Sequence, residues 1–324
     1  MALLTLAVVS LLYSYIYMKS VESLTELLRI LGDPTRLRLL TALNQGELSV
    51  REITQVTGLS QPRVSRHLKL LCEARILKRT RDQNEVYYRT TIDDDRRALV
   101  QVVLGNLPLG DRLATRDRER LTAILDARQA RAEELLTHMG VKPLDPTEIE
   151  EVGPTVESVL RAHLPEKQVG VQLGDLLDIG TGTGSMLRLL AARSTRTVAI
   201  DQSREMRLVA RAIVLSQGLA NCTVQAGDMY DLSFPEGHFD IVTMDRVLGA
   251  ANDPTEAVRE AARVIRDAGH LLIVETADPT TDDSKLAEYI GDAGLALLDL
   301  RRTVRGAAVV VIATRPPQPQ SQVA

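Results

Sequence analysis

The 324-residue chain has few aromatic residues and few cysteines. It contains no tryptophan, two phenylalanines and two cysteines, Cys72 and Cys222. Because the two cysteines lie in unrelated segments, the sequence predicts neither a disulfide framework nor a cysteine metal site. We therefore expect no metal ion and a reducing compartment, the cytoplasm.

The first 17 residues, MALLTLAVVSLLYSYIY, carry no charge. A membrane span needs about 20 apolar residues and a secretory signal begins with basic residues, so this run is short for a span and lacks the start of a signal. We interpret residues 1–19 as an apolar extension that results from a start codon assigned too early. The alternative is a membrane anchor, with the next segment held on the cytoplasmic side by Lys19.

Charge is distributed unevenly along the chain. The net charge is −4, yet residues 19–92 contain 13 Lys and Arg against 8 Asp and Glu, and the remaining residues contain 26 against 35. A basic segment joined to an acidic one indicates that only the first meets nucleic acid. The length of the chain also favours two domains.

The basic segment has the pattern of a helix-turn-helix. Asp33 and Pro34 start one helix, Ser49 caps the next, and Gly58–Ser60 turns the chain into the helix QPRVSRHLKLLCEARIL. The following ILKRTRDQNEVYYRTT predicts two strands with Asp82–Asn84 at their tip, which is the shape of a wing.

The second helix of the motif and the wing carry the candidate DNA contacts. From Ser60 to Arg81 there are seven basic residues and one acidic residue, Glu73. We expect the exposed face of the helix to enter a major groove and the wing arginines to bind phosphates. The alternative is a solvated basic face on a small helical domain. The predicted DNA-binding residues are Ser60, Gln61, Arg63, Ser65, Arg66, Lys69, Arg79 and Arg81.

The order LGDPTRLRLLTAL, SVREITQVTGLSQPRVSRHLKLL and LKRTRDQNEVYYRTT resembles the winged-helix repressors of the ArsR-type family over residues 20–92. The resemblance implies a double-stranded DNA operator as partner and a homodimer formed by the first and last helices of the domain. Metal sensing in that family often uses a C-x-C pair in the first helix of the motif. The matching stretch here, Leu48–Arg51, has no thiol, and His67 lies on a different element.

A second motif, LLDIGTGTG, begins at Leu176 and places three glycines at alternate positions between an apolar strand and a predicted helix. Such a turn brings backbone N–H groups and a positive helix end close to a ligand. A dinucleotide fingerprint needs G-x-G-x-x-G, but here the sixth position is Ser185 and the third glycine comes one residue early. The pattern D-x-G-x-G-x-G, starting at Asp178, resembles motif I of the class I S-adenosylmethionine (SAM) methyltransferases. A nicotinamide enzyme, or an α/β domain whose glycines serve only tight turns, is the alternative.

Further features follow this motif in order. TRTVAID predicts a strand that ends in Asp201, 17 residues after Gly184, where an acid can accept hydrogen bonds from both ribose hydroxyls. A helix is predicted from Ser203 to about Gln217, and NCTVQAGDMY predicts a strand before Asp228, which can accept the adenine amino hydrogen. HFDIVTMD and HLLIVET predict two more strands, and DPTEAVREAARVIRDAG predicts a helix that stops at Gly269. The candidate cofactor contacts are Asp178, Gly180, Gly182, Gly184, Asp201, Met206, Asp228 and Met229.

The sequence defines the binding site of the methyl acceptor less clearly than that of the cofactor. The whole chain resembles a bacterial group that fuses an ArsR-type domain to a methyltransferase of the quinone-methylase type. Such methyltransferases usually place a His or aromatic residues after the fourth strand, whereas this chain has DRVLGA there. We take Asp245 as the catalytic candidate, and its alternative roles are a cap on the next turn or a partner of Arg246. Arsenite methylation needs several thiols and DNA-base methylation needs an N/D-P-P-Y or Pro-Cys stretch, and the sequence has none of these.

We predict an α/β protein with an N-terminal winged helix-turn-helix domain followed by a Rossmann-like class I methyltransferase domain. The predicted boundaries are residues 20–92 and 151–315 for the two domains, and 93–150 for a helical linker, dimerisation region or lever. Residues 316–324 are polar and predict a disordered tail.

Three hypotheses on function follow from these patterns. The first is a DNA-binding transcription regulator whose second domain binds SAM and methylates an unknown small molecule. The second is a regulator that senses SAM or S-adenosylhomocysteine without catalysis, which the poor acceptor side favours. The third is a methyltransferase whose winged helix serves only for dimerisation, and the basic helix from Ser60 to Lys69 argues against it. The first two stay open at this point.

Overall fold

The computed structural model describes residues 21–91, 94–108, 110–142, 146–164, 173–277 and 283–317. They form two compact units, one with the residues up to Ala130 together with Val214–Ala220, the other with Arg131–Ile213 and the residues from Asn221 onward. The predicted extension at residues 1–19 lies outside the described residues, as does all but the first part of the predicted tail. Within the described ranges, no helix has both the length and the apolar character that a membrane crossing requires.

The first unit has the predicted winged helix-turn-helix fold. Its three strands form an antiparallel sheet in the order β1-β3-β2. The elements are α1 (Val21–Leu31), α2 (Pro34–Leu43), β1 (Leu48–Ser49), α3 (Val50–Thr57), α4 (Gln61–Glu73), β2 (Leu77–Asp82), β3 (Glu85–Thr90), α5 (Asp94–Gly105) and the first part of α6 (Arg112–His138). Helix α4 ends earlier than the sequence predicts, because Arg75 adopts a left-handed backbone and the chain enters β2 two residues later.

Local hydrogen bonds explain where the helices of this motif begin and end. The Ser49 hydroxyl accepts the Glu52 N–H and the Glu52 carboxylate accepts the Ser49 N–H, which is a capping box at the start of α3. Gly58 ends α3 in a left-handed conformation (φ 66°) that suits glycine. The sequence therefore specifies the turn between α3 and α4 through a few short-range contacts.

Helix α6 is tied to the helix-turn-helix by two ion pairs. Arg38 makes two contacts with Asp117, at 2.6 and 2.7 Å, and Arg128 makes two with Glu52, both at 2.6 Å. Paired two-point contacts between a guanidinium and a carboxylate hold a fixed geometry. The first part of α6 is therefore an integral part of this unit.

The second unit has the predicted doubly wound architecture around a seven-stranded sheet, which confirms the fold class. The strand order is β6-β5-β4-β7-β8-β10-β9, parallel from β6 to β8 and antiparallel at β10 and β9. The helices are α7 (Pro146–His163), α8 (Ser185–Leu190), α9 (Arg204–Ser216, whose residues from Val214 onward belong to the first unit), α10 (Pro254–Val264) and α11 (Asp283–Asp292). The strands are β4 (Asp175–Ile179), β5 (Arg196–Asp201), β6 (Cys222–Ala226), β7 (Phe239–Asp245), β8 (Ile265–Thr276), β9 (Ala296–Arg302) and β10 (Ala308–Thr314).

Alternate residues of the central strands enter two different apolar layers. Leu177, Ile273 and Val311 pack in the layer that contains α10 and α11. Their chain neighbours Leu176, Leu272 and Val310 pack in the layer that contains α7 and α8. Because both faces are buried, these strands read as continuous apolar runs, which is typical of parallel sheets.

Two predicted boundaries in this unit are wrong. Helix α10 ends at Val264, and the segment predicted to continue it as far as Gly269 is the start of β8. Ile265 is fully buried opposite Phe239, and a Cβ at Gly269 would lie 2.9 Å from the Asp240 carbonyl oxygen. Gly269 therefore permits close approach of two strands, so tertiary pairing overrides the helical pattern.

The other wrong boundary is the start of α7. The sequence PTVESVLRAHL predicts a helix that begins at Pro154, whereas α7 begins at Pro146 and has Pro154 in its interior. A proline inside a helix costs about 3 kcal/mol. Val152, Val156 and Leu160 on either side are buried, and each contributes about 1.5–3 kcal/mol. The strands β9 and β10 were not predicted at all.

Candidate functional site

The glycine loop follows β4 and has the backbone that its sequence predicts. Gly180, Gly182 and Gly184 have φ values of 65°, 48° and 76°, a left-handed region where other residues are strained. A Cβ at Gly180 would lie 2.7 Å from Val247, and one at Gly184 would lie 2.9 Å from Ile213. A Cβ at Gly182 would lie 3.7 Å from the Gly180 carbonyl oxygen, an ordinary contact, so this position is less crowded than the other two.

Asp201, at the end of β5, joins the glycine loop to the start of α9. Its Oδ2 accepts the Gly182 N–H at 2.9 Å, and its Oδ1 accepts the Ser203 N–H at 2.8 Å. Each oxygen retains a second acceptor position. The structure thus brings two predicted site residues together at the carboxyl edge of the sheet, where open α/β sheets bind ligands.

Asp178 lies inside β4 and is fully buried. Its Oδ1 accepts the Thr243 hydroxyl at 2.7 Å. Burial raises the pKa of Asp178 to about 7, and the charges of Asp245 and Asp201 act in the same direction. Hydrogen bonding by the Thr243 and Thr181 side chains opposes this rise in the pKa.

The remaining candidate cofactor residues occupy different settings. Asp228 follows β6, is exposed, and accepts the Tyr230 N–H at 3.0 Å. Met229 packs against the apolar layer of α10 and α11. Met206 is in the first turn of α9 and packs against a cluster that includes Val209 and Ile213. Of the three, Asp228 has the most accessible polar atoms.

Asp245, the catalytic candidate, ends β7 and is largely buried. Burial raises its pKa, and the nearby Arg246 opposes that shift. The Arg246 Nη1 lies 3.9 Å from Asp245 Oδ1 and 3.4 Å from Glu148 Oε2. These distances are compatible with the alternative role of Asp245 as a partner of Arg246. A raised pKa also makes Asp245 a stronger base than an ordinary aspartate.

Glu275, which sequence reasoning missed, is a partly buried acid at the same edge of the sheet. It ends the apolar run of β8, and burial raises its pKa, with a further contribution from Asp245. Its Oε1 accepts the Leu248 N–H at 2.8 Å. An acid that follows an apolar strand is a usable signal, but HLLIVET was interpreted only as a strand.

Two buried arginines were also missed. Arg207 and Arg211, on α9, are each 1% exposed. Arg207 donates to the carbonyl oxygens of Asp201 and Gln202, at 3.0 and 2.8 Å, and Arg211 donates to that of Val224 at 2.8 Å. They satisfy carbonyl groups in and just after β5 and β6 and so position the segments that carry the candidate acids. The helical pattern of α9 gave no sign of this role.

In the first unit, all eight predicted DNA-binding residues are exposed. The opposite face of α4 is buried through Val64, Leu68 and Leu71. This division leaves one basic face of the helix free for a ligand. His67 lies between the two faces, and burial lowers its pKa although Asp33 opposes the shift, so the imidazole is neutral at pH 7.

The comparisons with known proteins match a different family model to each of the two units. Residues 33–79 match the family model "Bacterial regulatory protein, arsR family", and residues 177–273 match the model "Methyltransferase domain". The second match supports the predicted cofactor, SAM.

Similar proteins are found for part of the chain. The uncharacterized methyltransferase YcgJ of Bacillus subtilis is 32% identical over 36% of this chain and 45% of its own length. The ubiquinone/menaquinone biosynthesis C-methyltransferase UbiE of Pseudomonas paraeruginosa is 34% identical over 35% of this chain and 46% of its own length. The chain thus spans less than half the length of these relatives. The crystal structure of YcgJ superimposes with a TM-score of 0.40 and 19% identity over 46% of this chain and 95% of that one.

The exposed basic helix and the glycine loop therefore lie in two different modules, and the protein is a fusion of an arsR-family helix-turn-helix domain with a methyltransferase domain.

Proposed function

We propose that the protein is a DNA-binding transcription regulator whose methyltransferase domain binds SAM and methylates a small molecule. The observation that supports the proposal is that one chain carries candidate residues for DNA binding and for SAM binding in suitable settings. All eight predicted DNA contacts are exposed, and the Gly182 N–H binds Asp201 at the ligand edge of the sheet.

The proposed DNA contact uses α4 and the wing. Gln61, Ser65 and Lys69 follow one another at intervals of four, so they share one face of α4. Arg63 and Arg66 are exposed on the same helix, and a guanidinium suits two-point contacts with guanine. Arg79 and Arg81 on β2 are exposed and bind phosphates in this proposal.

We infer that the domain forms a homodimer when it binds DNA, as the family resemblance implies. Helix α1 exposes Val21 (70%) and Leu28 (47%), and α5 exposes Val102 (38%). Apolar side chains exposed on the first and last helices of the domain support an interface there. A Leu28→Glu variant that remains dimeric in analytical ultracentrifugation would contradict this assignment.

The residues at the carboxyl edge of β4–β6 fit SAM. The absence of a side chain at Gly182 permits close approach of the ligand, the Asp178 carboxylate is assigned to its ammonium group, and Asp201 has acceptor positions for its ribose. Asp228 is exposed and is assigned to the adenine amino group. When bound, SAM supplies a methyl group activated by a positively charged sulfur.

Asp245 is the residue that we assign to the methyl acceptor. Methyl transfer from a sulfonium is an in-line displacement, so the protein mainly orients the reactants and excludes water. A basic acceptor must also lose a proton, and the raised pKa of Asp245 makes its carboxylate a better proton acceptor.

One observation favours a second candidate function, sensing without catalysis. The cavity beside Asp245 measures about 10 Å³ and is closed on one side by Glu148, Ile149 and Val152 of α7. That volume is about what a single water molecule requires. In this alternative the domain reports SAM or S-adenosylhomocysteine to the DNA-binding domain.

Calorimetric titration of SAM tests the cofactor site. We expect Asp201→Ala and Asp228→Ala each to reduce SAM affinity at least tenfold, since each removes a hydrogen bond to the ligand of about 1.5–3 kcal/mol. Asp267→Ala, an exposed acid on β8, is the matched control and should leave the affinity unchanged. Unchanged affinity in both site variants would refute the assignment.

A gel-shift titration on the DNA upstream of its own coding sequence separates the two candidate functions. Without ligand, the protein should bind this DNA in either case. A change in DNA affinity with SAM or S-adenosylhomocysteine supports sensing. No change with either ligand, together with methyl transfer to an added acceptor, supports an independent enzyme.

A further inference from the structure

The first unit contains a cavity that neither proposed site uses. It measures about 260 Å³ and lies among α2, the end of α3, the segment after α5 and the start of α6. Typical small-molecule sites have volumes of about 300–1,000 Å³, so this cavity lies just below that range. Its apolar lining comes from Leu37, Ala42, Val56, Leu107, Ala114 and Leu121.

Most charged groups in the wall of the cavity already bind other groups of the protein. Arg38 and Asp117 form the two-point ion pair described above, and the Asp111 carboxylate accepts the Ala114 N–H at 2.8 Å. The remaining charged lining residue, Arg118, is exposed to solvent. An ionic ligand that paired with Arg38 or Asp117 would have to break their part-buried ion pair, whereas an uncharged apolar ligand leaves every one of these contacts intact.

We propose that this cavity binds a small, uncharged and mainly apolar molecule. A volume of about 260 Å³ accommodates on the order of nine water-sized groups at about 30 Å³ each. A bicyclic aromatic compound has this size, and a helix from a partner protein is far too large. The apolar lining supplies the affinity, and the ion pair closes one side.

The cavity lies against the contacts that hold the turn of the helix-turn-helix. Arg38 also donates to the Thr57 carbonyl oxygen at 2.5 Å, at the end of α3. Arg120 donates to the carbonyl oxygen of Val56, a lining residue, at 3.3 Å. An occupant therefore contacts residues that hold the end of α3, directly before the turn into α4. It follows that occupancy changes DNA affinity, and this part rests on the DNA-binding function proposed above.

The probe for the cavity is 2-naphthol, whose fluorescence is free of tryptophan background because the chain has no tryptophan. Titration into the full-length protein should give saturable binding. Ala114→Phe fills the cavity and should weaken binding about tenfold or more. Ala123→Phe adds the same ring to an exposed position of α6 outside the cavity and is the matched control. Thr41→Phe, at an exposed lining position of α2, repeats the test if the first variant does not fold.

Loss of probe binding in the filled variants, with binding retained in Ala123→Phe, supports the proposal. Equal affinity in all variants, or no saturable binding, overturns it. If the affinity for 2-naphthol falls as the protein concentration rises, the cavity belongs to an interface with a second copy, and this result would also overturn the proposal.

The DNA arm of the experiment tests the regulatory part separately. Saturating 2-naphthol should change the affinity for the upstream DNA about threefold or more in the wild type and not in Ala114→Phe. Unchanged DNA affinity with a filled site overturns the regulatory part. Failure to bind this DNA in the absence of the probe would contradict the proposed function instead, because probe binding is measured without DNA.

Discussion

The two units of the protein use different kinds of residues for their candidate sites. In the first unit the eight candidate DNA contacts are exposed side chains on a helix and a wing. In the second unit the site consists of glycine backbone and of carboxylates such as Asp178, which is fully buried. Exposed charges contribute little to folding stability, whereas buried carboxylates reduce it. Substitutions in the first site should therefore leave the folding stability unchanged, whereas substitutions in the second site should change it.

The largest expected effect is on DNA binding. Arg63→Ala combined with Arg66→Ala should weaken binding of the upstream DNA by a factor of about 10²–10⁴, because each base contact contributes about 1–3 kcal/mol. The melting temperature should not change, since both side chains are exposed. Arg112→Ala with Arg116→Ala removes the same charge from exposed positions of α6 and is the control. A gel shift equal to that of the wild type would refute the assignment.

The next effect is the pH dependence of the second unit. The pKa of Asp178 is raised from 3.8 in the unfolded chain to about 7 in the folded protein. The folded state therefore favours the protonated form, and stability is lost as the pH rises from about 4 to above 7. A shift of about three units corresponds to about 4 kcal/mol.

Asp178→Asn removes this dependence. Urea unfolding at pH 5, 6, 7 and 8 should show a smaller loss of stability with rising pH in the variant than in the wild type. Asp267→Asn, at an exposed position, should keep the wild-type slope. Parallel slopes in all three proteins would show that Asp178 is charged in the folded state at pH 7.

A smaller effect is expected at the glycine loop. Gly180→Ala should lower the unfolding free energy of the second unit by about 2–5 kcal/mol, from left-handed backbone strain and contact with Val247. Gly294→Ala has the same strain (φ 73°) with no atom within 4 Å of the new Cβ. It should therefore cost only about 1–2 kcal/mol. Thermal unfolding of the two variants measures these losses of stability. Equal losses would show that the contact with Val247 does not destabilise Gly180→Ala.

The predictions from sequence were most accurate where short-range contacts decide the structure. The caps at Asp33 and Ser49 and the turn at Gly58 depend on residues within four positions, and the structure confirms the elements that they begin or end. The prediction failed at Ile265–Gly269, where pairing with β7 replaces a helix. That pairing joins residues more than 20 positions apart, so no local pattern reports it.

Within the candidate site, the same distinction holds. The glycine spacing and the acids Asp201 and Asp228 are visible in the sequence, because a loop at a strand end requires these residue types in order. The roles of Arg207 and Glu275 are not visible, since each depends on which strand ends lie nearby. The cavity beside α2 was equally hidden, because its lining comes from four separate segments.

The sequence alone therefore determined the two domains, their order, and the residue types at both sites. Local hydrogen bonding, glycine backbone preferences and the uneven distribution of charge along the chain are sufficient for these predictions. Only the tertiary structure decided which carboxylates are buried, where the sheet continues and where a cavity remains. Burial and long-range pairing arise from packing between distant segments, and they control the pKa of Asp178 and the space available to a ligand.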